Sequence, residues 1–206
     1  MRHMPGYGAR YWADRTADNR RRSYPKFKGR ETADVVVIGG GLTGCTAAYV
    51  LAGAGLDVVL LEADRLTSGS TAGSLGMIVP EPDAEYRTAE PLAGRRAAKT
   101  TWKETRRAAA EFAVALGKLP TKSDVRRAGL LINAASAGAV EELRREQAAR
   151  RTAGLEAAWV SASAAAAELG TESRGALKLP SAFTFDPVRA ALGLAGAAES
   201  RRARIF

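Results

Sequence analysis

Asp34-Val-Val-Val-Ile-Gly-Gly-Gly-Leu-Thr-Gly44 is the stretch on which the fold turns. Val35 to Ile38 are all β-branched, and such a short apolar run is the pattern of a strand buried on both faces of a parallel sheet. Glycines 39, 40, 41 and 44 interrupt it. Leu42 to about Ala54 follows as a helix of small residues, which Gly55 is placed to end. Asp57-Val-Val-Leu-Leu61 is a second apolar strand, closed by Glu62. Strand, helix and strand fit within about 30 residues, the length of one βαβ unit with its right-handed crossover.

Gly39, Gly41 and Gly44 satisfy G-x-G-x-x-G, with Gly40 at the first variable position. A lone match of this kind is weak, but here a strand precedes it, a helix follows, and an acid stands about 20 residues on. Each glycine has a physical task. Gly39 allows the tight turn, Gly41 lets a pyrophosphate approach the backbone, and Gly44 lets the helix pack close to the sheet. The helix N-terminus at Leu42 and Thr43 offers main-chain N–H groups and the positive end of its dipole to phosphates. Glu62 is placed to accept both ribose hydroxyls and to repel a 2′-phosphate, which implies FAD or NAD and not NADP. The competing reading is a glycine-rich turn in some other α/β protein.

Residues 63–82 hold no good helix or strand and are rich in Ser, Thr and Gly, finishing in Met77-Ile-Val-Pro80. A typical NAD domain would continue into another helix and a third strand. A loop able to bring backbone and hydroxyl donors to phosphate and flavin favours FAD instead. Ala33 to Gly44, Leu60-Leu-Glu-Ala-Asp-Arg65 and Thr67-Ser-Gly-Ser-Thr-Ala-Gly-Ser-Leu-Gly76 together resemble the D-amino-acid oxidase, glycine oxidase and sarcosine oxidase-like FAD-dependent oxidoreductases, the DAO family. Ser23-Tyr-Pro25 looks like the leader of the γ-glutamylputrescine oxidase-like branch. Arg127-Ala-Gly-Leu-Leu131 and Phe185-Asp-Pro-Val188 fit more loosely.

The resemblance implies that Gly39, Gly41, Leu42, Thr43 and Gly44 hold the pyrophosphate and Glu62 the adenosine ribose. Arg65 and the Ser70-Thr71 region would contact the cofactor further along, and Gly76-Met77 would lie near the flavin ring. Where relatives carry Arg-Asn or a flavin-linking His, this chain has Gly73-Ser74, so FAD is expected to be held non-covalently in this segment. The implied chemistry is oxidation of a C–N bond in a small amine or amino acid, with hydride passing to the flavin and electrons to O₂ or another acceptor. No catalytic residue is assigned.

The fold expected is α/β: a Rossmann-like FAD-binding βαβ unit with part of an α+β substrate domain, apparently truncated. Residues 1–32 would be a basic arm, 33–82 the βαβ unit and flavin loop, 83–185 the partial substrate region, and 186–206 a helix and strand returning to the FAD domain. Relatives run to about two domains, so the 206 residues are expected to be an N-terminal portion. An alternative is a non-catalytic FAD-binding subunit completed by a complementary chain.

Composition bounds the chemistry further. One Cys and one His exclude a Cys-rich or His-ligated metal centre, and no metal is expected. The net charge of +9 is uneven: residues 1–33 hold nine basic and three acidic residues. Tyr7, Tyr11, Trp12, Tyr24 and Phe27 are interleaved with them, and the favoured reading is an arm whose aromatics dock on the body, with no nucleic acid bound. No apolar run suits a signal peptide or a spanning helix, so no membrane association and a cytoplasmic location are expected.

Beyond the loop, Arg95 to Leu119 reads as an amphipathic helix, with Trp102, Thr105, Ala109, Phe112 and Leu116 as its core stripe. Ala128–Ile132 reads as a strand. Ala139–Arg151 is a helix supported by Glu141–Arg145 and Glu146–Arg150 pairs. Trp159-Val160 makes a short strand, and Ser161 or Ser163 caps a helix that Gly170 ends. Asp186-Pro187 opens another helix, and Arg204–Phe206 begins a strand. Cys45 is expected to be a small buried packing residue, and His3 to be exposed in the arm.

Overall fold

A computed structural model describes residues 11–15 and 22–206. Tyr11–Arg15 forms a short helix, α1. Val35–Ile38 (β1), Leu42–Gly53 (α2) and Val58–Leu61 (β2) then form the expected βαβ unit. β1 and β2 are parallel, with Val35 opposite Val58 and Ile38 opposite Leu61. The chain divides into two units, and this one takes the described residues up to Met77 together with 114–125 and 185–206. Its later elements, α7 (Pro187–Glu199) and β7 (Arg204–Ile205), add a third parallel strand on the other side of β2, giving the order β1-β2-β7.

Small residues set the packing of this unit. Cys45, Ala48 and Ala52 of α2 and Ala191, Ala195 and Ala198 of α7 are buried, which lets the two helices lie close together. Asp186 caps α7 as its sequence suggests: Oδ1 accepts from the N–H groups of Val188 and Arg189, each at 3.0 Å. On sequence grounds 83–185 is one unbroken region. The structure instead draws 114–125 into the first unit, because Leu119 is buried and Thr121 lies against α7, where a Cβ on Gly193 would come 3.0 Å from Thr121 Cβ.

The second unit covers 78–113 and 126–184. Its sheet has the order β3 (Met77–Ile78), β6 (Ala176–Thr184), β4 (Arg126–Asn133), with β5 (Ala158–Val160) also antiparallel to β6. The sequence gives no warning of β6, since Pro180 lies inside it and proline removes a ladder donor. The register shows how the strand tolerates it. Ala182 pairs with Ala128 but Leu179 pairs with Leu130, so β6 carries one extra residue and Pro180 falls within that bulge.

Helices α4 (Arg95–Lys118), α5 (Ala137–Thr152) and α6 (Ala162–Leu169) appear where periodicity places them, and Ser161 caps α6. Trp102 of α4 is buried edge-to-face on Tyr86, with ring centroids 5.2 Å apart and Ala98, Ala153 and Leu155 around them, so the aromatic stripe is core. A further helix, α3 (Tyr86–Ala93), has no local capping signature. Its first amides, Tyr86 and Arg87, donate to the Glu146 carboxylate at 2.8 and 2.9 Å. The two predicted helical ion pairs also differ in kind. Glu141–Arg145 is exposed, whereas Glu146 and Arg150 are buried at 2.5 Å and Arg150 reaches Glu81 at 2.7 Å.

Candidate functional site

The turn between β1 and α2 depends on its glycines in two ways, through backbone conformation and through close approach. Gly39 has φ +104°, a conformation L side chains rarely adopt, and its N–H donates to Leu61 O at 2.8 Å. A Cβ on Gly44 would come 1.9 Å from Gly39 O, so the helix can lie this near the strand only because residue 44 lacks one. Gly40, a variable position by the motif, is crowded by side chains and not by backbone: its Cβ would meet Leu66 Cδ2 at 2.2 Å and the Glu62 side chain at 3.1 Å.

Glu62 ties the turn to the end of β2. Its Oε2 accepts from Gly40 N–H at 2.6 Å and its Oε1 from Asp64 N–H at 3.1 Å. A carboxylate oxygen has two acceptor positions, so each of these oxygens can take another donor such as a ribose hydroxyl. Gly41 is the N-cap of α2 and supplies no side-chain cap. The Leu42 N–H donates to the hydroxyl of Thr71 at 2.9 Å. Thr71 lies in the 3-10 turn Ser70–Gly73, so a loop residue 29 positions downstream meets the start of the helix. A Cβ on Gly41 would come 3.0 Å from the same hydroxyl oxygen.

The structure thus brings Gly39, Gly40, Gly41, Leu42, Gly44, Glu62 and Thr71 together, with Thr43 in the first turn of α2. Arg65 shares with Glu62 the lining of a cavity of about 660 Å³ at the carboxyl end of β2. Ser70 is exposed at the start of its 3-10 turn. Gly76, with φ +68°, accepts at its carbonyl from Phe185 N–H at 2.9 Å, and Met77 beside it is exposed.

The arm contributes contacts that the sequence reading did not assign to the site. Trp12 of α1 donates its indole N–H to Ser74 O at 2.7 Å and covers Gly76, where a Cβ would come 2.6 Å from Trp12 Cζ2. Tyr24 donates to Glu199 at 3.2 Å, and Phe27 stacks edge-on against Phe206. Trp12, Tyr24 and Phe27 therefore dock on the body, whereas Tyr11 is exposed and meets Trp12 and Arg15 of its own helix; Tyr7 and His3 lie outside the described residues. Their spacing carried no signal, because each partner stands more than 60 positions away.

Cys45 is buried, and burial followed by the Glu62 carboxylate pushes its thiol up to about 12. Its S–H faces Gly40 O at 3.6 Å. It is a packing residue at the turn and not a thiolate. Among the described residues, no three His, Cys, Asp or Glu side chains group as metal ligands. No described helix is long and apolar enough to cross a membrane.

The chemistry of this donor set fits a dinucleotide. The N-cap Gly41 puts no side chain where α2 opens, no Cβ projects from the turn, and a carboxylate with spare acceptor capacity closes the neighbouring strand. The profile of the family described as FAD dependent oxidoreductase (DAO) matches residues 34–206. The chain belongs to that family. Members of the family use FAD, and an FAD-bound α-glycerophosphate oxidase from Mycoplasma pneumoniae is among the similar folds, at TM-score 0.61 and 23% identity, covering 86% of this chain and 45% of that one.

The sequence relatives match over short stretches. γ-Glutamylputrescine oxidoreductase of Escherichia coli is 50% identical over 48 residues, which is 23% of this chain and 11% of that protein. Rat dimethylglycine dehydrogenase is 52% identical over 56 residues, 27% of this chain and 6% of that protein. Glycine oxidase from Geobacillus kaustophilus shares the fold at TM-score 0.69 and 22% identity, covering 84% of this chain and 46% of that one. The chain therefore spans about half the length of these solved structures and less of the curated relatives.

Proposed function

We propose that this chain binds FAD non-covalently through the Gly39–Gly44 turn and Glu62 and forms part of an oxidoreductase acting on the C–N bond of a small amine or amino acid. The observation that carries the reading is the glycine turn, locked to Glu62 through Gly40 N–H at 2.6 Å and to Thr71 through Leu42 N–H at 2.9 Å. When bound, FAD supplies the hydride acceptor and hands the electrons on to O₂ or another acceptor. The chain's own residues hold it: the amides of Gly41, Thr43 and Gly44 receive the pyrophosphate, Leu42 ties the turn to Thr71, Glu62 accepts the ribose hydroxyls, and Thr71 fixes the loop that leads to Gly76 and Met77. Arg65 and Ser70 stand along the same path. The substrate class comes from the resemblance to amine and amino-acid oxidases and dehydrogenases. A cytoplasmic location is part of the proposal, and cell fractionation reads it.

Incubating the chain with FAD and passing it over a desalting column tests cofactor binding. Retention of the flavin's visible absorption band is expected, and Gly41→Val should abolish it. A colourless chain, or an unchanged band in the variant, would sink the reading. A second reading, a cofactor unit completed by further polypeptide, is favoured by β1: Val36 and Ile38, on one face of the strand, are 53% and 86% exposed. Parallel sheets are ordinarily covered on both faces. A monomer that keeps FAD at high concentration, with no gain in stability from any added chain, would argue against it.

A further inference from the structure

The cavity of about 660 Å³ at the carboxyl end of β2 has two opposed walls. One is Glu62 to Leu66, which follows β2; the other is Arg22 to Phe27, from the arm. Leu61, Leu192 and Phe206 complete it with apolar surface. Its volume lies within the roughly 300–1,000 Å³ range of small-molecule sites.

The arm is fastened at this place and not merely laid against it. Arg22 Nη1 pairs with Glu199 at 2.6 Å, and Tyr24 OH donates to the same carboxylate oxygen at 3.2 Å. Burial, then the Glu199 charge, pushes the Tyr24 phenol up to about 12, so it remains a donor at ordinary pH. Three residues further on, Phe27 meets Phe206 edge to face, with centroids 5.3 Å apart. Two anchors thus hold the segment at either end of a space that it does not fill. Apolar surface can cover the faces of a flat base, the free acceptor positions of Glu62 can take hydroxyls, and Lys26 and Arg65 bring positive charge suited to phosphate beside the acids Glu62 and Asp64.

We propose that Arg22–Phe27 is the outer wall of the pocket for the adenosine end of the dinucleotide, so that the N-terminal segment is part of the cofactor site. The proposal rests on the FAD-binding reading and adds residues that lie before the family match begins at residue 34. Glu199 acts as a positioning residue: it borders no part of the cavity but holds the wall through Arg22 and Tyr24. Phe27 is a binding residue of the wall itself.

Two measurements on the 206-residue chain test it. In the first, FAD affinity is compared between wild type, Phe27→Ala and Glu199→Gln, with circular dichroism confirming the fold of each. Weakening by about tenfold or more in both variants is expected. In the second, wild-type protein is digested with trypsin in the absence and presence of saturating ADP, which carries the adenosine half alone. Lys26 and Lys28 are exposed and should be cleaved more slowly when ADP is present. FAD binding that is equal in all three proteins overturns the wall assignment and leaves the FAD reading intact, as does cleavage indifferent to ADP. A wild type that binds no FAD overturns the FAD reading and this proposal with it. Should either variant fail to fold, the protection of wild type decides.

Discussion

Around Gly40, in one unit, main-chain groups meet where side chains are missing; around Glu146, in the other, charged side chains meet where water is missing. Gly40 N–H donates to Glu62, its carbonyl accepts from Thr67 N–H at 3.0 Å, and a Cβ on nearby Gly44 would come 1.9 Å from Gly39 O. Glu146 takes the two first amides of α3 and the Arg150 guanidinium, and Arg150 in turn reaches Glu81. The first region is a turn kept free of side chains, where the proposed function puts a ligand's phosphates. The second is a satisfied internal knot that needs no ligand. Buried charge and the proposed cofactor site therefore fall in different regions of this protein.

The sharpest break is expected at the knot. Glu146→Ala leaves Arg150 and two amides without their main acceptor and should cost about 3–5 kcal/mol in urea unfolding, the usual range for removing one member of a buried pair. Adding Arg150→Met should recover part of that loss; if it does not, the buried charge is not the cause. FAD affinity, corrected for folded fraction, should be unchanged in the double variant.

Gly44→Ala tests the other side of the comparison. Its Cβ would clash with Gly39 O, and separating helix and turn should cost on the order of 1–3 kcal/mol while also removing FAD binding. A stable variant with full affinity would show that the close approach is dispensable. Smaller still, Asp186→Ala removes the double cap of α7 and should lower stability by about 1 kcal/mol, with no direct effect on cofactor affinity.

The least expected effect concerns pH. Cys45 has its thiol pushed up to about 12 in the folded chain, against about 8.5 for a free thiol. The folded state therefore holds its proton more tightly. The associated stability is fully present below about pH 8.5 and is lost as pH rises towards 12. Thermal melts should show wild type losing ground to Cys45→Ala over that window, and iodoacetamide at about pH 9 should label only unfolded protein. Rapid labelling of the native chain would refute the buried assignment.

Much of the first unit was readable in the residues. A β-branched run, a glycine turn and an acid at 62 are local, and each acts through backbone geometry within one βαβ unit. Cys45 as packing and Trp102 as core were legible for the same reason, since periodicity reports which side of a helix is covered. The gaps have a common physical origin. Pro180 spoke against a strand until the register placed it in a bulge. The α3 helix begins on a carboxylate 60 residues away, Gly40 gained its importance from neighbours brought in by folding, and Thr71, named from the sequence, gained its contact with α2 the same way.

Sequence by itself determined the glycine turn, the parallel strands that carry it, and the family. These follow from φ angles, helix termini and residue periods, which are properties of short segments. Only the tertiary structure decided that the arm closes a cavity beside Glu62, that Thr71 caps α2, and that one of two similar Glu–Arg pairs lies buried. Those outcomes depend on which distant groups exclude water from one another, and no local pattern encodes that.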